Sequence, residues 1–101
     1  MTAQFPMVAI ANFCQRWMIT ELAIFGSAAR GEAGPSSDID LLATFAANAK
    51  WSLLDHVRME QELAALLGRR VDLVARDAVE QSRNWVRREH ILSGARRLYA
   101  A

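Results

Sequence analysis

Residues Gly26 to Leu41 read GSAARGEAGPSSDIDL, and the order of residue types in this stretch decides how the rest of the chain is understood. Before it lies a short apolar run, Leu22 to Phe25, ended by Gly26, which predicts a first strand. Ser27 to Arg30 predicts one helical turn. Gly31 to Ser37 holds two glycines, a proline and two serines, and predicts a loop. Asp38 to Phe45 (DIDLLATF) predicts the next strand. Alternation on that strand puts Asp38, Asp40 and Leu42 on one face and Ile39, Leu41 and Ala43 on the other.

The two aspartates carry the first chemical signal. Residues two apart on a strand sit ~7 Å apart on one face, at ~3.3 Å rise per residue. Their carboxylates can share one ion or hold two neighbouring ions. Asp72, in the later run RVDLVA (Arg70 to Ala75), has the corresponding phase on a third predicted strand. If the two strands are neighbours, three carboxylates converge. Each close pair of such charges costs about 4 kcal/mol at ~4 Å and an effective dielectric of ~20. Divalent cations remove that penalty, and an all-oxygen donor set favours magnesium or manganese. Taken alone, a D-x-D pair reads first as two solvated residues at a strand end.

The Gly-Ser turn adds a second signal. Gly26 lets backbone approach a phosphate without a Cβ in the way. Free amides at a helix start attract anions, and the Ser27 hydroxyl can donate to a phosphate oxygen. The bland alternative is an ordinary turn with an N-cap. The P-loop and dinucleotide-binding fingerprints are both absent.

Working outward, Ile10, Phe13, Cys14 and Trp17 have helical spacing within Met7 to Met18. A further helix is predicted to begin at Ser52, with Asp55 as its capping-box partner. Its expected inner stripe is Leu53, Leu54, Val57, Leu63, Leu66 and Leu67, and Gly68 is its C-terminal stop. Asp77 and Glu80 mark another helix start, running with a possible break to about Ser93. Ala95 to Ala100 (ARRLYA) is assigned to an edge strand in preference to more helix. Strands alternating with helices predict an α/β or α+β fold: a small mixed sheet of three to four strands covered by helices.

Composition narrows the function classes. The 101 residues form one predicted domain, 1–101. Twelve basic against eleven acidic residues leave a net charge of +1, which is no global footprint for nucleic acid. The charge is unevenly placed: Gln81 to Ala101 holds five arginines against the single acid Glu89. That segment is either a solvated helix face or a docking surface for an acidic partner or polyphosphate. Cys14 is the only cysteine, so no internal disulfide forms and a reducing, cytoplasmic setting is expected. Buried and inert is its default state. His56 and His90 are too far apart for a zinc site and are expected to be structural or solvated. Trp17, Trp51 and Trp85 are expected to anchor the core or an interface. No signal peptide or membrane-spanning run is evident, so no membrane partner is expected.

The assembled pattern of G-S-x-A-x-G, a loop, S-D-x-D-L and a later V-D-L strand resembles the DNA polymerase β-like nucleotidyltransferase superfamily. The nearest likeness is to its minimal nucleotidyltransferase branch, small prokaryotic antitoxins often paired with HEPN-domain toxins. Ile24 to Leu42 carries the match most closely, Arg70 to Val74 supports it, and ILSGARRLY (Ile91 to Tyr99) is similar to the branch's usual ending. The resemblance implies that Gly26 and Ser27 hold a triphosphate, with Arg30 a further candidate phosphate contact. It implies that Asp38 and Asp40 bind metal, and that Asp72 helps a metal and activates the incoming hydroxyl. The implied cofactors are two Mg²⁺ (or Mn²⁺) ions, with ATP as nucleotide donor. The implied partner is a HEPN-type toxin, and a homodimer is a second way to supply the acceptor. Three functions follow as expectations: an enzyme that moves AMP onto a partner's hydroxyl, an antitoxin that acts by contact alone, or a small-molecule nucleotidyltransferase. The last usually carries an additional helical domain, for which this chain has no counterpart.

Overall fold

The computed structural model describes residues 5–29, 31 and 38–101. The predicted 31–37 loop, Gly31 apart, and Arg30 lie outside these residues. Helix α1 (Met7–Arg16) leads into strand β1 (Ile19–Phe25), which runs into a single helical turn, α2 (Gly26–Ala29). Strand β2 (Ile39–Phe45), helix α3 (Leu53–Leu67) and strand β3 (Val71–Ala75) follow. Two short helices, α4 (Arg76–Glu80) and α5 (Trp85–Gly94), precede the last strand, β4 (Arg96–Ala100). The element order and types agree with the sequence pattern, including the break between α4 and α5 and the final strand. Strand β1 begins earlier than predicted, at Ile19 rather than Leu22.

The strands form one mixed sheet in the order β3-β2-β1-β4. Strand β1 pairs antiparallel with β2 and β4, and β2 pairs parallel with β3. That parallel pair needs a crossover, which α3 provides. Its ends are set by local chemistry. Ser52 Oγ accepts from the Asp55 backbone N–H at 3.1 Å, and Asp55 accepts from the Ser52 N–H at 3.0 Å, closing the capping box. Gly68 ends the helix in the left-handed conformation, φ 70°.

The sheet's two faces are built differently. On one, Leu22, Ile24, Ile39, Leu41, Ala43, Val71 and Leu73 pack under α1 and α3 with Ile10, Phe13, Met59 and Leu63. Cys14 is fully buried there, and burial pushes its thiol up to about 12, so it is inert at neutral pH. On the other face a smaller group, Ala23, Phe25, Leu42, Val79 and Ile91, lies under α4 and α5. On β2 and β3, alternation therefore sorts Ile39, Leu41, Ala43, Val71 and Leu73 to one face and Leu42 and Val74 to the other, as the sequence predicts.

Helix α3 departs from expectation. Leu53, Leu54 and Val57 are exposed, and the buried positions are Met59 and Leu63, with Leu66 and Leu67 half-buried. The first turns of α3 present their apolar side chains outward, whereas its middle holds the sheet. Two polar residues of the helix, His56 and Glu60, serve the sheet directly. His56 Nε2 donates to the Leu73 carbonyl at 2.7 Å, and Glu60 Oε2 accepts from the Leu73 N–H at 2.8 Å. Strand β3 is an edge strand, and this i,i+4 pair occupies backbone groups that would otherwise be free to pair with another chain. His56 is thus structural, as expected. Near the end of α1, Arg16 donates twice to Glu62, at 2.8 and 3.0 Å, and Trp17 Nε1 donates to the same carboxylate at 3.2 Å. Trp51 Nε1 donates to the Trp17 carbonyl at 2.9 Å, and the two indoles meet edge-on at 5.0 Å. These two tryptophans are anchors, whereas Trp85 is 64% exposed.

Candidate functional site

The register of the parallel pair decides the site. Asp40 of β2 and Asp72 of β3 are direct partners across the ladder, so both project from the same face. That face is the one covered by α4 and α5, and the two acids lie at its uncovered end. The strand that precedes α2 arrives at the same place, because Phe25 of β1 is the register partner of Asp40. Three segments distant in sequence therefore meet at one sheet end: the Gly26 turn, the D-x-D strand and the V-D-L strand.

Gly26 adopts φ +71°, and a Cβ built on it falls 2.6 Å from Asp40 Oδ2. The sequence reading assigned this glycine to close approach of a phosphate. In the structure the space that its missing side chain leaves is taken by the Asp40 carboxylate. A left-handed φ and the nearby carboxylate both disfavour any other residue here: a side chain would be strained and would displace the Asp40 carboxylate. Gly26 therefore positions a candidate metal ligand as well as the turn itself.

Asp40 is half-buried, and its carboxyl is raised above the ordinary 3.8. Burial is the main cause, followed by the charge of Asp72 and then that of Asp38. Desolvation and like charge act in the same direction on a carboxylate. Asp38 lies just before β2 and is more exposed; its Oδ1 is 3.7 Å from Arg70 Nε. The sequence places Arg70 at the start of the third predicted strand, with no role in the site. The register that pairs Ile39 with Val71 sets Asp38 opposite Arg70, and no local feature of the sequence carries that register.

Among the described residues, no three acid, histidine or cysteine side chains enclose a point where an ion could sit. Asp40 and Asp72 are brought together, while Asp38 faces Arg70. In donor type the residues nevertheless fit a hard divalent cation. They are oxygen donors only, two on adjacent strands in register, and Asp40 experiences the repulsion that a cation removes. The Asp38–Arg70 ion pair is long and exposed, of a kind worth about 0–1 kcal/mol. Ser27 lies in α2, directly after Gly26.

No helix among the described residues is long and apolar enough to cross a membrane.

Comparison with known proteins agrees with this geometry. Residues 8–98 match the family described as the nucleotidyltransferase domain. Protein adenylyltransferase MntA of Thermococcus cleftensis is 42% identical over 66 residues, and the match spans 65% of this chain and 65% of that relative's length. A solved structure provisionally assigned as a minimal nucleotidyltransferase is 38% identical, has a TM-score of 0.69, and covers 89% of this chain and 86% of its own. A tri-AMPylated Shewanella oneidensis HEPN toxin in complex with MNT antitoxin also matches, with a TM-score of 0.63 at 16% identity. It covers 94% of this chain and 70% of that one, and at such identity attests the fold alone. With the Gly-Ser turn and both acidic strands in their expected places, the chain belongs to the nucleotidyltransferase domain family, in its minimal nucleotidyltransferase branch.

Proposed function

We propose that this protein transfers AMP from ATP to a hydroxyl of a partner protein, an HEPN-type toxin, and thereby acts as its antitoxin. The observation that carries the proposal is the pairing of Asp40 with Asp72 across adjacent strands beside the Gly26 turn. The names of the relatives support it: one is a protein adenylyltransferase, and another structure holds an AMPylated HEPN toxin with an MNT antitoxin.

Asp38, Asp40 and Asp72 would hold two Mg²⁺ or Mn²⁺ ions, which when bound supply charge neutralisation and Lewis acidity at the phosphates. Gly26 and Ser27 would hold the triphosphate through the α2 turn. Arg30 is a further candidate for phosphate contact. Asp72 is exposed and so is accessible to an acceptor. Its carboxylate would take the proton of the acceptor hydroxyl. The freed oxygen would form a bond to the α-phosphorus while the bond from that phosphorus to the β-phosphate oxygen breaks, and pyrophosphate would leave. Positioning and electrostatics would account for most of the rate. No covalent enzyme intermediate is required.

The test is to incubate the protein with ATP, Mg²⁺ or Mn²⁺ and the protein encoded beside it, then weigh both chains. The expected result is a partner heavier by one or more AMP units, lost in Asp40→Asn. A partner that is held tightly, stays unmodified and is neutralised as well by Asp40→Asn would replace catalysis with inhibition by contact.

A further inference from the structure

The arginine-rich segment after Gln81 has found no role in the site so far. In the structure it forms α5 and its approach. The helix packs inward through Ile91, with Leu92 and Ala95 beside it. Its other side is turned to solvent. Trp85 is 64% exposed and Val86 60% exposed, and Arg83 and Arg87 flank them, also exposed. The start of this helix is fixed, because Asn84 Oδ1 accepts from the Arg87 N–H at 3.1 Å. Arg88 is held too, donating to the carbonyls of Ser82 at 3.1 Å and Glu80 at 3.4 Å. The exposed pair is therefore presented on a rigid base.

This surface adjoins the candidate active site. A cavity of about 110 Å³ is lined by Arg87, Arg88 and Ile91 on one side and by Val74 on the other. Val74 lies on the same face of β3 as Asp72, two residues further along. Exposed tryptophan with arginine is the composition enriched where proteins bind one another. The charge selects the partner's sign: Arg83 and Arg87 flank the exposed apolar pair, and Arg88 lies on the same helix behind them. A basic acceptor segment would be repelled here and drawn onto the carboxylates themselves, whereas an acidic one is steered to the rim and kept off them.

We infer that Arg83, Trp85, Val86 and Arg87 form the docking surface for an acidic, partly apolar segment of the protein that presents the acceptor hydroxyl. This inference deepens the proposed transfer reaction and rests on it for the identity of the segment's cargo; the surface itself is tested separately.

The probes are two peptide sets carrying Ser, Thr or Tyr, one flanked by glutamate and leucine, the other by lysine and leucine. Binding is read from Trp85 fluorescence, with Trp85→Phe as the blank. Transfer is read from labelled ATP with Mg²⁺ or Mn²⁺. The glutamate set should bind about tenfold or more tightly than the lysine set, with affinity falling as salt rises. Arg83→Glu/Arg87→Glu should reverse the preference while ATP binding is kept. Arg83→Gln/Arg87→Gln, a milder change that guards against misfolding, should abolish it. Equal binding of the two sets, or a preference that survives both double variants, overturns the docking surface. Preferential binding without labelling leaves the surface standing and removes the transfer reaction. Labelling without preference does the reverse.

Discussion

The two faces of the sheet divide the work of this small protein. Under α1 and α3 the face is dry and continuous, filled by Phe13, Ile10, Leu22, Leu41, Met59 and Leu63, each essentially inaccessible to solvent. Under α4 and α5 the apolar cluster is smaller and stops short, and the same strands end in Asp40 and Asp72. The first face gains stability from burial, since each buried aliphatic side chain contributes about 1.5–3 kcal/mol. The second gives some of that up, because a half-buried carboxylate beside two like charges opposes folding. Strand alternation makes this division possible: residues adjacent in sequence serve opposite faces, so Ile39 and Leu41 bury on either side of a half-buried functional position.

Substitutions should separate the faces. The largest effect is expected from Asp40→Asn or Asp72→Asn, which should lower AMP transfer on the order of 10³-fold with the fold intact by circular dichroism. A variant that keeps a tenth or more of the wild-type rate would show that the acidic end is not the reacting centre. On the opposite face, Leu63→Ala should cost about 2–5 kcal/mol in urea unfolding. Below its midpoint that variant should retain transfer, because Leu63 lies on the far side of the sheet from the acids.

Gly26→Ala should act on both properties at once. The left-handed backbone costs about 1–2 kcal/mol with a side chain, and the added Cβ must displace Asp40 Oδ2. Transfer should fall together with stability, and a variant that loses only one would show that the glycine does not position Asp40.

A subtler contrast lies in pH. The folded-state pKa of Asp40 is raised above its unfolded value. The folded chain therefore binds the proton more tightly. The resulting stabilisation is complete below the unfolded value, about 4, and is lost as pH rises through the folded value. At pH 7 Asp40→Asn should accordingly melt at a higher temperature than wild type, and the gap should shrink toward pH 4. An inactive variant more stable than its parent is the signature of a strained functional site. Glu62 has the opposite sign. Its hydrogen bond from Arg16 holds its carboxyl below the ordinary 4.5, so the contribution of that contact is present at neutral pH and lost on acidification.

The smallest expected effect concerns Arg70. Removing it in Arg70→Ala frees Asp38, and Mn²⁺ with ATP should bind a few-fold more tightly by calorimetry, in keeping with an exposed pair worth about 0–1 kcal/mol. Weaker binding would mean that Arg70 contacts the triphosphate instead.

Much of this was legible in the residues themselves. Ser52 with Asp55 and Gly68 marked both ends of α3, and alternation assigned Ile39 to Ala43 and Val71 to Val74 to their faces. These features obey rules spanning a few residues: a hydrogen bond between neighbours, a permitted backbone angle, a period of two. Leu53, Leu54 and Val57 escaped the same logic, because periodicity shows which residues share a helix face but not how far the sheet beneath it extends.

What the order of amino acids determined by itself was the list of parts: a Gly-Ser turn, a D-x-D strand, a V-D-L strand and the helices between them. Tertiary structure alone decided that β2 and β3 lie side by side and in register, that Asp40 fills the space above Gly26, and that Arg70 rather than a third carboxylate faces Asp38. Those outcomes depend on pairing between segments far apart along the chain. Their relative positions are set by the competition of whole faces for burial, which no short stretch of sequence contains.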